Sequence, residues 1–414
     1  MLKIKAPCTT ISRKSVIRRY VTEIADEFLN DRVESDENDI GLYGCRLGKS
    51  LFLSQYYSFS KKDVYLDKSL SYLESVLNDL SSTQFDLSFS NGITGIGWLL
   101  SFYINEGILS RKHLSLINDL EPLIKKEISW DVKFGIYDPF VGLVGRGVFY
   151  LELSKIEKKH LATVDMIVDA LDHMAIRFDG DLITWSDNYS IDKKHENQQT
   201  FTLGGLAHGV PAIVIFLCQC YHQNIKKQKI KKLLPEVLNW MFQYQGRSKN
   251  FCFPNCVIDG EPEDSGSLAW CNGDLGVFLA VLRAEKIIKN KNTFKMIEKD
   301  MNTIIGLDLD KSFVDLDSDH TIDTGICHGV AGIIHMIDVL NKEMPGSIEN
   351  NRITYWLDKI INQMDDLKFP SDGEEEEWGS NQGLLMGKSG LGLILLQLLN
   401  PTSANWNACL ITGK

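Results

Sequence analysis

The sequence predicts an all-α protein, an α/α toroid of seven inner and seven outer helices with short strand or loop insertions at its rim. Two observations carry this expectation. A glycine-rich turn leading into an apolar run occurs seven times, and amphipathic segments of helical period lie between the copies. An amphipathic helix is half solvated, whereas a helix apolar on every side needs neighbours all round it. Seven of each in alternation fit two concentric layers closed into a ring. Residues 1–414 read as a single domain, with rim insertions at 178–201 and 246–266.

Taken in order, Gly44-Cys45-Arg46-Leu47-Gly48 leads into Leu51-Phe52-Leu53, and Gly92-Ile93-Thr94-Gly95 into Trp98-Leu99-Leu100. Gly142-Leu143-Val144-Gly145 opens Val148-Phe149-Tyr150-Leu151, and Gly205-Leu206-Ala207-His208-Gly209 opens Ile213-Val214-Ile215-Phe216. The fifth and sixth turns carry Trp270-Cys271-Asn272-Gly273 and Thr324-Gly325-Ile326-Cys327-His328-Gly329. The seventh, Gly387-Lys388-Ser389-Gly390, precedes Leu393-Ile394-Leu395-Leu396. Clear amphipathic stripes are Leu66, Leu70, Leu73, Leu77 and Leu80; Ile230, Leu233, Leu234, Val237, Leu238, Met241 and Phe242; and Ile353, Trp356, Leu357, Ile360, Ile361 and Met364. Weaker ones fall near 15–31, 112–128, 159–177 and 293–306. Where inner helices converge, their leading turns crowd together, and residues without a Cβ permit close backbone approach. Converging helix N-termini also favour thiolates and other anions at that end.

Composition narrows the class. The 414 residues are 44% hydrophobic and 24% charged, enough for a large core, and the formal net charge of −11 argues against nucleic acid as a partner. The basic N-terminal stretch, Met1 to Tyr20, lacks the apolar core of a signal peptide, and no apolar run reaches the length of an integral membrane segment. The longest, Gly209 to Cys218, reads as a buried helix, and a cytoplasmic location is expected. Nine irregularly spaced cysteines in such a chain point to metal or thiol chemistry rather than disulfides.

Cys271, Cys327 and His328 supply two thiolates and one imidazole in matching turns. That is the ligand set of one zinc ion, Zn2+, with a coordination position left over, which reads as catalytic. His208, in the fourth turn, is a candidate proton carrier. Asp138, ahead of the third, could reach the same mouth and orient it, or simply cap a helix starting near Phe140. Gly48-Lys49-Ser50 and Gly387-Lys388-Ser389 are not Walker A loops, because the required earlier glycine falls at Tyr43 and Gln382. Cys252 and Cys256 allow a structural zinc knot but lack a completing His, and Cys218 and Cys220 read as core thiols. Glu374 to Glu377 read as a solvated loop.

These residues resemble the lanthionine synthetase C (LanC) cyclases over nearly the whole chain: seven glycine turns, Trp270-Cys271, Cys327-His328-Gly329, Ala207-His208-Gly209 and Tyr137-Asp138. The resemblance implies a seven-by-seven helical toroid with central zinc. It also implies addition of peptide cysteines to dehydroalanine or dehydrobutyrine, forming thioether rings. On that basis Cys271, Cys327 and His328 match the zinc ligands, His208 the acid/base and Asp138 its acidic partner. The implied substrate is a dehydrated precursor peptide, and the implied partners are a lanthipeptide dehydratase and an ABC exporter, which would bring the chain to a membrane. The chain departs from the family at Asn272, where a Tyr or His usually follows the first zinc Cys. It departs again at Ser267, where an Arg often stands. These departures keep open a non-catalytic zinc protein that binds thiols or peptides. A glycoside hydrolase pairing Asp138 with a glutamate from 374–377 is a further rival, but it leaves the cysteines unexplained.

Overall fold

A computed structural model describes residues 12–36, 39–80, 86–186, 198–263, 266–314, 321–349, 351–364, 367, 369–370 and 378–413. Among them, fourteen α-helices alternate between an inner and an outer layer. The inner seven are α2 (Cys45–Ser60), α4 (Ile93–Asn105), α6 (Leu143–Ile156), α8 (Val210–His222), α10 (Asp274–Ile288), α12 (Val330–Glu343) and α14 (Lys388–Leu399). The outer seven are α1 (Arg13–Asn30), α3 (Asp63–Asp79), α5 (Leu114–Phe134), α7 (Leu161–Met174), α9 (Lys227–Phe242), α11 (Lys291–Ile305) and α13 (Asn351–Asn362). Each inner helix from α2 to α12 packs on the outer helix that follows it; α14 packs on both α1 and α2 and so closes the ring.

The two layers follow from the side chains. In α8 every residue from Val210 to Cys218 is buried, so the helix needs cover on all sides. In α9 only the stripe of Ile230, Leu233, Leu234, Val237, Leu238 and Met241, extended by Trp240, is buried. Lys231 and Lys232 face solvent.

The glycine turns are stitched to one another at one end of the ring. Tyr43 N–H donates to Ser90 O (3.1 Å), Ser90 N–H to Phe140 O (3.0 Å), Leu206 N–H to Trp270 O (3.0 Å) and Cys271 N–H to Cys327 O (3.2 Å). Ile326 N–H donates to Leu385 O (2.7 Å) and Leu384 N–H to Tyr43 O (3.0 Å). The third and fourth turns are joined by a side chain, the Tyr137 hydroxyl donating to His208 O at 3.0 Å. This approach is what excludes a side chain at Gly205, where φ is +71° and a Cβ would lie 1.9 Å from Cys271 O.

The rim insertions form strands. β1 (Ile176–Phe178) and β2 (Leu182–Thr184) make an antiparallel hairpin. β3 (Thr200–Thr202) pairs antiparallel with β4 (Cys256–Ile258), in register Thr200↔Ile258 and Thr202↔Cys256, and β4 pairs with β5 (Glu261–Pro262). Thus one sheet is built from both insertions. A further pair, β6 (Phe369–Pro370) and β7 (Trp378–Gly379), is antiparallel. The acidic stretch Glu374 to Glu377, and 187–197 and 264–265 of the insertions, lie outside the described residues.

The chain then returns to the centre. A 3-10 segment, Pro401–Leu410, followed by Ile411, Thr412 and Gly413, runs inside the inner ring. Trp406, Cys409, Leu410, Ile411 and Thr412 are all buried. Its carbonyls are gripped from several sides: Cys409 O by the Tyr43 hydroxyl (2.7 Å), Leu410 O by the Trp270 indole (3.0 Å), and Thr412 O and Gly413 O by Arg283 (2.7 and 2.8 Å).

Candidate metal centre and active site

The fifth and sixth turns present their soft side chains toward each other. Cys271 stands three residues before α10 and Cys327 and His328 immediately before the Gly329 cap of α12, and the Cys271 N–H to Cys327 O bond holds the two turns in register. One sulfur of each cysteine and one ring nitrogen of His328 lie within 4.8 Å of one another. Cys327 Sγ is 3.7 Å from His328 Nε2. Tetrahedral zinc with bonds of about 2.3 Å to sulfur and about 2.0–2.1 Å to nitrogen sets those atoms about 3.6 Å apart, so the donor set fits that ion. The Cys271 thiol is pushed down to about 5, chiefly by the hydrogen bond from Cys327. The His328 ring and the charges of His328 and His208 add to this, while burial opposes it.

These groups open onto a cavity of about 450 Å³. Its opposite wall is the face of the rim sheet, Thr200, Thr202, Cys256 and Ile258, so the insertions contribute directly to the cavity. His208 lines it too, half-buried, with its ring stacked on Phe140 at 5.1 Å between centroids. His208 Nδ1 stands 3.8 Å from Asp138 Oδ2, an ion-pair separation rather than a hydrogen bond. Asp138 Oδ1 accepts from Phe140 N–H (2.7 Å) and Val141 N–H (3.0 Å). The helix that follows begins at Leu143 behind a Gly142 cap, not near Phe140, so Asp138 shapes the preceding loop. All five predicted site residues are therefore brought to one end of the ring.

Among the described residues, the other cysteines are not part of this three-residue group. Cys218 and Cys220 are buried in α8. Cys252 donates to the Asp300 carboxylate (3.6 Å), and Cys256 faces the cavity from β4. Among the described residues, the group that could hold a metal ion is Cys271, Cys327 and His328. Sequence reasoning missed the aromatic floor, where Phe140 packs on His208 and on Trp270 (6.1 Å), and the central segment that anchors the Trp270 indole. The run Cys409-Leu410-Ile411 is the local signal for that segment, but it carries no period.

A helical toroid with two cysteines and a histidine gathered at its glycine-turn end is the class that fold and site define. The lanthionine synthetase C-like protein family matches residues 36–411, and the chain belongs to that family. Its fold is similar to that of nisin cyclase, with a TM-score of 0.75 at 19% identity, covering 96% of this chain and 97% of that one. An inactive variant of an alpha-1,6-mannanase from Salegentibacter sp. HEL1_6 aligns with a TM-score of 0.47 at 8% identity, over 94% of this chain and 99% of that one. No curated protein sequence matches. No helix among the described residues is long and apolar enough to cross a membrane.

Proposed function

We propose that this protein is a zinc-dependent lanthipeptide cyclase. It adds cysteine thiols of a dehydrated precursor peptide across dehydroalanine or dehydrobutyrine to give thioether rings. The observation that carries the reading is the convergence of Cys271, Cys327 and His328 at the wall of a cavity that also presents His208. Bound zinc would supply the Lewis acidity that keeps a substrate thiol ionised near neutral pH. The two cysteines and the imidazole would hold that ion and leave one position for the incoming sulfur.

The remaining work falls to the chain itself. His208 takes the proton released by the thiol and returns it to the α-carbon. A C–S bond forms at the β-carbon, the π pair moves toward the α-carbon, and one proton is carried across without net change. Asp138 favours the protonated imidazole during that transfer, and Phe140 limits the ring's rotation by stacking on it. The cavity holds both ends of the nascent ring together, which supplies a large further share of the rate. Serine and threonine dehydration must precede this step, so a lanthipeptide dehydratase supplies the substrate, and an ABC exporter is the expected outlet.

The test is direct. Zinc-loaded protein incubated with a dehydrated peptide should abolish alkylation of the peptide's cysteines while leaving its mass unchanged. Cys271→Ala should lose both zinc and activity. Zinc-loaded wild type that leaves every thiol alkylatable would instead favour the non-catalytic reading.

A further inference from the structure

Two residues of the fifth turn, Ser267 and Asn272, touch each other. The Ser267 hydroxyl donates to the backbone oxygen of Asn272 at 2.5 Å and accepts from Ala269 N–H at 3.0 Å. It also lies 3.1 Å from the side-chain oxygen of Asn272. That same amide end is 3.2 Å from Cys271 Sγ. Ser267 is buried, Asn272 is half-buried and lines the cavity, and a β-bridge between Leu268 and Gly273 closes the turn around them.

The hydrogen inventory of this cluster depends on the state of Cys271. A hydroxyl has one hydrogen and two acceptor sites. The hydrogen of Ser267 goes to the Asn272 backbone oxygen, its shortest contact, and one acceptor site is filled by Ala269 N–H. Its remaining site faces the Asn272 amide. While Cys271 is a thiol, its S–H can donate to the amide oxygen. A metal-bound cysteine is a thiolate with no hydrogen, and an amide oxygen beside it would repel. The two ends of an amide have the same shape, so a half-turn of the side chain exchanges them without moving a neighbour. The NH2 group then gives one hydrogen to Cys271 Sγ and the other to the open site on Ser267. Both amide hydrogens and the open site on Ser267 are used in that arrangement.

We propose that Asn272, oriented by Ser267, donates an N–H···S hydrogen bond to the Cys271 thiolate in the metal-loaded protein and so sets how strongly that sulfur holds the ion. This rests on the zinc reading above. Asn272 is a positioning residue here, acting through Cys271. A hydrogen bond to a thiolate stabilises its lone pairs and fixes the direction in which the ionised sulfur meets the ion. Ser267 and Asn272 thereby work as one unit.

The experiment uses the full chain with zinc and, separately, with cobalt(II) as a spectroscopic probe. Zinc affinity is read by competition with a chromophoric chelator, and the thiolate-to-cobalt charge-transfer band by absorbance. Asn272→Ala and Ser267→Ala should each weaken zinc binding by about 10–100-fold and move the band to longer wavelength. Ser267→Thr, which keeps the hydroxyl, should match wild type in both. Should Ser267→Ala fail to fold, Asn272→Ala decides, because its side chain makes none of the turn's backbone contacts. Unchanged affinity and an unmoved band in a folded Asn272→Ala overturn the inference while leaving the zinc reading intact. Failure of the wild type to bind zinc overturns both.

Discussion

Asp138 divides its two oxygens between scaffold and site. One accepts from Phe140 and Val141 N–H, and the other stands 3.8 Å from His208 Nδ1. Comparable side chains brace other turns: Asp323 Oδ1 accepts from Gly325 N–H (2.7 Å) and Asn381 Oδ1 from Gly383 N–H (2.8 Å). A Cβ on the capping glycine of those turns would meet Asp323 O or Asn381 O, whereas on Gly142 it would meet Ile136 O. Asp138 is thus displaced from the usual bracing position, toward His208. Asp138→Asn should keep the loop, since an amide oxygen can still accept both N–H groups, but slow the reaction through the lost charge. His208→Asn should slow turnover by roughly 10²–10⁴-fold with zinc content unchanged, and Asp138→Asn should fall between it and wild type. Single-turnover cyclisation rates and metal analysis of the same preparations check this. The residue types were legible from their turns, but the 3.8 Å gap was not, because it depends on loop geometry that no periodicity encodes.

At the scale of the element, the glycine turn does two jobs: it starts an inner helix and it docks on the next turn. Gly205 illustrates the second. An alanine there would need to push its methyl into Cys271 O from a left-handed backbone. Gly205→Ala should destabilise the fold by about 2–4 kcal/mol and weaken zinc binding in whatever fraction folds, because the displaced atom belongs to a ligand residue. Denaturant unfolding and chelator competition measure the two effects. The rim sheet is tied to the same helix. Asp274, first residue of α10, accepts from Cys252 N–H (2.6 Å) and Phe253 N–H (3.0 Å), and burial pushes its carboxyl up to about 7. The insertions were visible in the sequence as breaks in the repeat. Their union in one sheet was not, since three-residue strands far apart in the chain carry no pairing signal.

Across the whole molecule, the segment inside the ring links the centre to the helices around it. The Thr412 hydroxyl lies 2.7 Å from His335 Nε2 and 3.1 Å from Asn407 O. Nδ1 is buried without a hydrogen-bond partner. Burial accordingly pushes the His335 pKa from its ordinary 6.5 down to about 4. With a depressed folded value, the unfolded chain takes up the proton first as pH falls. Stability from this residue is therefore complete above pH 6.5, declines between 6.5 and about 4, and levels off below. The difference in unfolding free energy between wild type and His335→Asn should drop by roughly 3 kcal/mol over that window. Taking the difference cancels Asp274 and Asp131, which burial raises to about 7 and about 6 and which titrate with the opposite sign. Urea unfolding at a series of pH values reads it.

What the chain alone settled was whatever repeats or recurs locally: two kinds of helix in alternation, seven glycine-rich turns, and two cysteines and a histidine in two neighbouring turns. Hydrophobic period and glycine placement are local properties, and a ring is the arrangement that covers every all-apolar helix. Only the folded molecule decided how the turns join, that two distant insertions wall one cavity, and that residues 401–413 lie within the ring. It also decided that Ser267 and Asn272 meet. Those are contacts between positions with no fixed spacing, chosen by packing and by the need to satisfy buried polar groups, and such terms become countable once the neighbours are in place.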